Sequence, residues 1–415
     1  MKHRLTLLAA ALFASPAFAD TWTTTIDAAT YGGSYGAITF NDGGYTGPTG
    51  PQGTHVWPLA AAADPEALKQ RIEQAAALNQ HLRCAAPTAE PLRSIHPLPE
   101  LPNNYTLLAA DGSQINPDRH APVEFCVINL GAFRMQPGQA LAPREITRSE
   151  LLYKEEDLYT PQGRITEEIV ALRRDLLERR LLAELAAAES GPLVALTDGP
   201  MELFRKPEES PLYTKLMGDF LAALQELAAL GTISAGYVDK PAADLVVRML
   251  ELLLLPEEDL RQAGQQRPLL GVTDAGLFAS DLPAGARTAI FSIQSRATLN
   301  VFHGPLALHF FYLNVSPPGQ KPWLARIEVP AWVVQDPQKL DTLHAALIQQ
   351  CRTLGGRAYP YALHRAHEVA VIQLDEKNQL ISLIQAELNR NGMEIGEASH
   401  KQGVKDISGK RTRYG

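Results

Sequence analysis

Cysteine is scarce in this chain of 415 residues, which contains only Cys84, Cys126 and Cys351. The three are scattered along the sequence, and no two of them form a C-x-x-C pair. An odd and sparse set of cysteines excludes a disulfide framework and a cysteine-ligated zinc site. We therefore expect each cysteine to be a small buried hydrophobic residue.

An excess of basic residues is also absent, because the formal net charge is −8 at pH 7 and the pI is about 5.8. This balance weakens any nucleic-acid-binding hypothesis that is based on charge alone. The C-terminal residues 401–415 differ from the rest of the chain. They contain five basic residues, among them Lys401 and Lys405, and one acidic residue, Asp406. This tail either follows a phosphate backbone or is a solvated segment.

Long hydrophobic runs are missing after the N-terminus, where nothing approaches the ~18–20 apolar residues that a membrane span needs. We therefore expect no membrane partner. The N-terminus itself resembles a secretory signal peptide. Residues 2–4 are basic, residues 5–13 are apolar, and Ala17-Phe18-Ala19 is a small-x-small cleavage site before Asp20.

Several common catalytic motifs are absent as well. The sequence contains no G-x-G-x-x-G, no P-loop, no G-x-S-x-G and no H-E-x-x-H. Dinucleotide-binding, ATP-binding and serine-hydrolase hypotheses therefore have no support.

The segments that are present predict a mixed α/β fold. The hydrophobic fraction of 45% and the charged fraction of 20% are ordinary for a soluble globular protein. We expect a strand over residues 105–110 to pair as a hairpin with a strand over residues 123–135. Helical patterns cover residues 64–84, 164–188, 212–230, 339–353 and 362–391.

One pattern, a short apolar strand followed by Asp-Gly, occurs twice. It ends in Asp111 in the segment 105–112 and in Asp198 in the segment 193–199, and a related strand-to-Asp pattern precedes Asp274. An acid at the end of a buried strand is costly unless a positive group lies beside it, and a metal ion is one such group. The alternative is ordinary turn chemistry, because Asp-Gly is a common turn dipeptide.

Four side chains form a candidate site: Asp111, Glu178, Asp198 and His367. Carboxylates suit hard cations such as Mg²⁺ and Mn²⁺, and an imidazole is acceptable to Mn²⁺. Two ions held about 4 Å apart can activate a water and stabilise the leaving oxygen of a phosphodiester. Several acids from different elements are needed, because one acid cannot supply enough ligands for two ions.

Glu178 lies on the long helix and shares a face with Leu182 and Leu185, which indicates that it points inward. The alternative is an exposed acid that pairs with a neighbouring arginine, and this is the more common outcome for a helix acid. The neighbouring arginines are Arg174, Arg179 and Arg180.

These residues carry a resemblance to the NurA nuclease family. The motifs that resemble the family are YTLLAADGSQINPDRH, ERRLL, LVALTDGP, GYVDKP, LLGVTDAGLF and YPYALHRAHEVAV, with a closing S-x-K-Q-x-x-K segment. They agree in order and in rough spacing over about residues 105–375. The resemblance implies an RNase H-like mixed sheet that is flanked by helices, with extra helical segments.

The resemblance also implies roles for single residues. Asp111 and Asp198 match the two metal-binding aspartates, and Glu178 matches the helix-borne acid, although Asp175 is close enough to be confused with it. His367 matches the histidine of a C-terminal Ala-His motif.

Three further residues match less diagnostic elements of the family. Tyr359 lies where the family has an aromatic residue just before the histidine, and it is included among the catalytic residues. Tyr237 and Lys240 match a G-Y-x-x-K element, for which we expect DNA contact or structural support.

The family implies a deoxyribonuclease that depends on two Mn²⁺ ions, or on Mg²⁺ ions in their place. Such an enzyme cleaves single-stranded DNA internally and degrades DNA from 5′ ends. Family members form homodimers and work with the hexameric ATPase HerA in resecting double-strand breaks, which implies a cytoplasmic location. The signal-like residues 1–20 conflict with this location. Two alternatives stay open: a non-catalytic RNase H-like DNA-binding partner of a translocase, and an exported binding protein.

The predicted organisation has five parts. They are a signal-peptide-like segment (1–20), a Gly/Thr-rich segment (21–60), a helix with a Pro-rich linker (61–103), a NurA nuclease domain (104–375) and a C-terminal helix with a basic tail (376–415).

Overall fold

A computed structural model describes residues 22–24, 38–41, 44–45, 65–118, 124–161, 163–203, 210–355 and 358–390. The signal-like segment 1–20 and the tail with Lys401 and Lys405 lie outside these residues, so what the sequence predicts for them stays a prediction. Within the described ranges, no helix combines the length and the apolar character that crossing a membrane requires.

The strands of the described residues follow the chain from β1 to β16. They are β1 (Trp22–Thr24), β2 (Ile38–Asn41), β3 (Gly44–Tyr45), β4 (Arg83–Pro87), β5 (Ile95–His96), β6 (Thr106–Ile115), β7 (Cys126–Met135), β8 (Arg144–Leu152), β9 (Tyr159–Thr160), β10 (Gly163–Arg164), β11 (Leu193–Asp198), β12 (Ile233–Val238), β13 (Arg287–Thr288), β14 (Phe291–Ser295), β15 (Leu308–Asn314) and β16 (Leu324–Pro330).

The helices of the same residues are numbered α1 to α11. They are α1 (Pro65–Leu78), α2 (Glu155–Leu158), α3 (Glu167–Ala187), α4 (Pro211–Ala229), α5 (Leu245–Leu254), α6 (Asp274–Phe278), α7 (Arg296–Val301), α8 (Ala331–Val334), α9 (Pro337–Thr353), α10 (Tyr361–Ala370) and α11 (Leu374–Arg390). Two 3₁₀ turns cover Glu257–Gln262 and Gly304–Leu306.

One mixed sheet organises most of these elements, in the order β4-β14-β15-β16-β12-β11-β6-β7-β8, with β13 and β5 attached beside β15. β6, β11 and β12 pair in parallel, and the other pairs of this sheet are antiparallel. The parallel strands are apolar and buried, as parallel strands covered on both faces are. The section β8-β7-β6-β11-β12 is an RNase H-like arrangement, which confirms the predicted fold.

The predicted hairpin of β6 and β7 is confirmed, but the predicted strand end at Asp111 is wrong, and so is the alternative of a turn at Asp111-Gly112. The β6 strand continues through Asp111, which pairs with Gly131, and the ladder reaches Ile115 opposite Val127. Ile115 packs with Phe125 and Val127 in a small apolar cluster, and this burial keeps the end of the strand in the sheet. Asp111 therefore projects from the middle of a strand.

Two other sequence-based predictions are also wrong. Residues 268–273 form turns instead of a strand, and Asp274 begins α6. The helix predicted over residues 64–84 ends at Leu78, because Cys84 and its neighbours join the sheet as β4 beside β14. All three cysteines are buried and unpaired, as expected, and burial raises the pKa of Cys84 and Cys351 to about 12.

Candidate active site

Asp111 and Asp198 lie side by side on neighbouring parallel strands. β6 and β11 pair with Thr197 opposite Ala110, so the next residues along the two strands are Asp198 and Asp111. Asp198 ends β11, and Gly199 after it has a φ of +78°, which glycine adopts without a steric penalty. Partial burial raises the pKa of Asp198, and the charge of Asp111 raises it further.

Glu178 reaches the same edge of the sheet from α3. Its exposure is only 7%, so the predicted inward orientation is confirmed and the exposed alternative is wrong. A Cβ atom on Gly112 would lie 2.7 Å from Glu178 Oε1, so the glycine lets this carboxylate rest against β6 beside Asp111. Burial raises the pKa of Glu178, and the charges of Asp175 and Asp111 add to the shift.

Two arginines of α3 accompany these acids. Arg174 Nη2 lies 2.9 Å from Asp175 Oδ1, and Arg174 Nε lies 3.4 Å from Glu178 Oε1. Arg179 Nη1 lies 3.5 Å from Glu178 Oε2. Within the described residues, the buried Arg174 Nε and Arg179 Nη1 make no hydrogen bond of good geometry. From the sequence we expect these arginines only as possible partners of an exposed Glu178. In the structure they place positive charge inside the site.

His367 comes to the site on α10, which packs directly against β6 and β7. A Cβ atom on Gly131 would lie 2.4 Å from the Ala366 carbonyl oxygen, so the glycine permits this close approach. Ser113 Oγ donates a hydrogen bond of 2.5 Å to the carbonyl of Ala370 at the helix end. His367 Nδ1 then lies 2.7 Å from Asp111 Oδ2.

Tyr359 and Tyr237 form a pair behind Asp198. The hydroxyl of Tyr359 donates a hydrogen bond of 2.9 Å to Asp198 Oδ1. The Tyr237 ring meets the Tyr359 ring edge to face at 5.4 Å, and its hydroxyl donates to the Ala358 carbonyl at 3.2 Å. Tyr237 is fully buried, so the predicted DNA contact is wrong for this side chain and structural support is the role that its position allows.

The turn after Asp198 is held by a buried acid that the sequence analysis missed. Gly199 N–H donates to the Tyr237 carbonyl at 2.8 Å. Glu328 Oε2 accepts hydrogen bonds from the N–H groups of Met201 and Glu202 at 2.8 and 3.1 Å. Glu328 is completely buried in β16, whose other residues are mostly apolar. A single acid within a mostly apolar strand was the sequence signal that could have identified Glu328 as a buried structural residue.

One cavity of about 450 Å³ collects the predicted acids and the histidine. Its lining includes Asp111, Glu178, Asp198 and His367, and also Asp175. The carboxylate oxygens contact groups of the protein: Asp111 contacts His367, Asp198 contacts Tyr359, and Glu178 contacts the two arginines. In the part of the chain that the structure describes, no three acid, histidine or cysteine side chains converge closely enough to hold a metal ion.

The donor set nevertheless fits a hard divalent cation. Carboxylate oxygens are its preferred ligands, and several of them face this one cavity from three different elements. Burial raises the pKa of both Glu178 and Asp198, the like charge of Asp111 adds to each shift, and a bound cation would favour the ionised forms. Asp111, Glu178 and Asp198 are the residues that would hold such an ion, with His367 or Asp175 beside them.

The fold and the site together define an RNase H-like domain with a carboxylate cluster on two central parallel strands and a packed helix. The chain belongs to the NurA nuclease family, because the NurA domain model matches residues 105–372. This match covers more than half of the chain. Among curated proteins, no relative matches this sequence.

Solved structures that are similar to this chain include two structures of NurA. The NurA nuclease from Sulfolobus solfataricus is 14% identical over 81% of this chain and 94% of its own, with a TM-score of 0.46. A structure of NurA with manganese is 10% identical over 70% and 91%, with a TM-score of 0.35. The catalytic domain of human endonuclease V is 13% identical over 78% and 99%, with a TM-score of 0.32. The family assignment rests on the domain match alone.

Proposed function

We propose that this protein is a metal-dependent deoxyribonuclease that uses Mn²⁺ or Mg²⁺. The observation that carries the proposal is that Asp111, Glu178 and Asp198 come from three separate elements and face one cavity together with His367. Two ions bound there would supply an activated water and charge stabilisation for the leaving oxygen of a phosphodiester.

The residues of the chain have separable roles in this proposal. Asp111 Oδ2 accepts a hydrogen bond from the Nδ1–H group of His367, which fixes the tautomer and orients the ring. His367 is well exposed and lines the cavity, so its ring can contact a phosphate oxygen. Tyr359 orients Asp198 through its hydroxyl. Arg174 and Arg179 hold positive charge beside the acids, where a phosphate would enter.

The finer function is proposed from the family. We propose single-strand endonuclease and 5′–3′ exonuclease activity in double-strand break resection, with a HerA-like hexameric ATPase, as a homodimer in the cytoplasm. The manganese in a similar NurA structure supports the choice of Mn²⁺. Duplex ends and single strands are the proposed DNA substrates.

Cleavage of labelled single-stranded DNA in Mn²⁺ tests the proposal. We expect wild-type protein to cleave, EDTA to stop cleavage, and Asp111→Asn and Asp198→Asn to lower the rate at least about 10³-fold, since each variant removes a carboxylate that would hold the metal ion. Glu184→Gln is the matched control, because Glu184 is an exposed acid on the helix that carries Glu178.

The control should cleave at the wild-type rate. If either Asp variant cleaves at the wild-type rate, the proposed site is wrong. If Asp175→Asn is inactive and Glu178→Gln is active, the helix-borne ligand is Asp175. Binding of DNA without any cleavage would favour the non-catalytic partner of a translocase.

A further inference from the structure

A second cavity of about 860 Å³ opens beside the acid cavity, and both are lined by Asp198 and His367. We call it the Trp323 groove. On the side of the site it is lined by Asp198, Tyr359 and His367, and on the far side by Asp239, Lys240 and Trp323. Its volume is in the range of sites that take nucleotide-sized ligands.

Trp323 is held in place in this groove although it is 37% exposed. Its carbonyl accepts a hydrogen bond of 2.9 Å from Val315 N–H, which fixes the backbone next to β16. The indole Nε1–H donates to Asp239 Oδ1 at 2.9 Å. An aromatic ring that is fixed at its edge and still exposed is a preorganised surface for stacking.

Lys240 lies against the same ring. Its Nζ is 4.6 Å from the centroid of the Trp323 ring, which is a cation–π contact. Lys240 has a φ of +46°, and it is the one non-glycine residue with positive φ in the part of the chain that the structure describes. Such a backbone conformation is strained for a residue with a side chain, and strained residues cluster at functional sites.

The charges of the groove favour bases over phosphates as the source of affinity. Asp198 and Asp239 are balanced by Lys240 and Lys321, which also lines the groove. A groove without excess positive charge gains little from a phosphate backbone alone. A base that stacks on an aromatic platform gains about tenfold in affinity.

We propose that the Trp323 groove binds the single-stranded segment of DNA next to the scissile phosphate, with Trp323 stacking on one base. The proposal rests on the proposed nuclease function, and it assigns a binding role to a residue outside the acid cavity. Bases inside a duplex are stacked on both faces and leave no face free for a lateral ring, so the groove favours unpaired DNA over the interior of a duplex.

Fluorescence anisotropy of the full-length protein in EDTA tests this groove without any cleavage. The probes are a labelled oligothymidylate and an abasic phosphodiester strand of the same length. We expect wild-type protein to bind oligothymidylate about tenfold more tightly than the abasic strand. Trp323→Ala should remove this preference, whereas Trp323→Phe should keep part of it.

Tyr153→Ala is the matched control, because Tyr153 is an exposed aromatic residue outside the groove. It should bind both strands as wild type does. A Trp323→Ala protein that keeps the full preference for bases would overturn the proposal, and so would an equal loss in Tyr153→Ala. If Trp323→Ala does not fold, quenching of tryptophan fluorescence by oligothymidylate in wild type but not in Trp323→Phe decides the question.

Binding in EDTA is independent of the metal, so the two proposals fail separately. A protein that shows the Trp323-dependent preference but never cleaves DNA in Mn²⁺ overturns the nuclease proposal alone. A protein that cleaves but shows no Trp323-dependent preference overturns the groove alone.

Discussion

At the scale of single residues, three glycines allow the parts of the site to meet. Gly112 makes room for Glu178, and Gly131 makes room for the backbone of α10. A Cβ atom on Gly236 in β12 would lie 2.6 Å from the Gly199 carbonyl oxygen, in the turn after Asp198. The elements that carry Glu178, His367 and Asp198 therefore each pack closely against a glycine, where a larger residue would push them away.

Gly112→Ala tests this requirement at the acid cavity. The added methyl group would overlap Glu178 Oε1 and Arg174 Cγ, each 2.7 Å away, so the Glu178 carboxylate must move from its place beside Asp111. We expect cleavage to fall at least about tenfold and the free energy of unfolding to fall by about 1–3 kcal/mol. Cleavage kinetics and urea denaturation measure the two effects.

Gly218→Ala is the control for this substitution. Gly218 lies on the exposed face of α4 with no atom near its Cβ position, so alanine should stabilise the helix by about 0.5–1 kcal/mol and leave cleavage unchanged. Wild-type activity in Gly112→Ala would mean that Glu178 does not need its position against β6.

At the scale of elements, α5 begins on a buried acid from elsewhere in the chain. Asp274 accepts hydrogen bonds from the N–H groups of Val246 and Val247 at 3.0 and 2.9 Å, and from the Tyr312 hydroxyl at 2.8 Å. The sequence predicted a site-like acid at the end of a strand here. The structure shows a cap for the first turn of a helix, which satisfies groups that would otherwise lack partners.

The stability of this cap should depend on pH. Burial raises the pKa of Asp274 to about 6 from an unfolded value near 3.8. Between these two pH values the native state keeps the carboxyl group protonated, whereas the unfolded state loses the proton. The resulting stabilisation is complete below about pH 4 and is lost as the pH rises through about 6. We expect the free energy of unfolding of wild type, relative to Asp274→Asn, to fall by about 3 kcal/mol across that interval. A difference between the two proteins that stays constant from pH 4 to 6 would contradict this assignment.

The sequence predicts elements better than it predicts what their ends do. The strand before Asp198 and the helix that carries Glu178 follow from apolar periodicity, which reports the burial that drives folding. Asp111-Gly112 and Asp198-Gly199 look alike in sequence, yet only the second is a turn. The difference depends on whether residues 113–115 find a partner strand, and that is a long-range contact.

The roles of Glu328 and of the two arginines of α3 could not be predicted for the same reason. Glu328 lies more than a hundred positions from the turn that it holds, and no local pattern links the two. Arg174 and Arg179 differ from an exposed arginine such as Arg180 only in the direction that they face after the helix packs on the sheet.

At the scale of the whole molecule, the acid cavity is a region where folding brings like charges together. Burial raises the pKa of both Glu178 and Asp198, and the charge of Asp111 raises each further, so ionising these acids destabilises the native state. Arg174 and Arg179 offset only part of this effect at Glu178. A divalent cation that binds only the folded protein removes this repulsion and also adds its own binding free energy to the stability.

Metal binding should therefore raise the thermal stability of the entire chain. At a Mn²⁺ concentration about 100-fold above its Kd, we expect the free energy of unfolding to rise by about 2.7 kcal/mol. Calorimetry of wild type, Asp198→Asn and the control Glu184→Gln, each with Mn²⁺ and with EDTA, measures the shift. The Mn²⁺ shift should vanish in Asp198→Asn and persist in Glu184→Gln. In EDTA the Asp198→Asn protein should be at least as stable as wild type, because one of the mutually repelling charges is gone. An equal Mn²⁺ shift in all three proteins would place the ion elsewhere on the molecule.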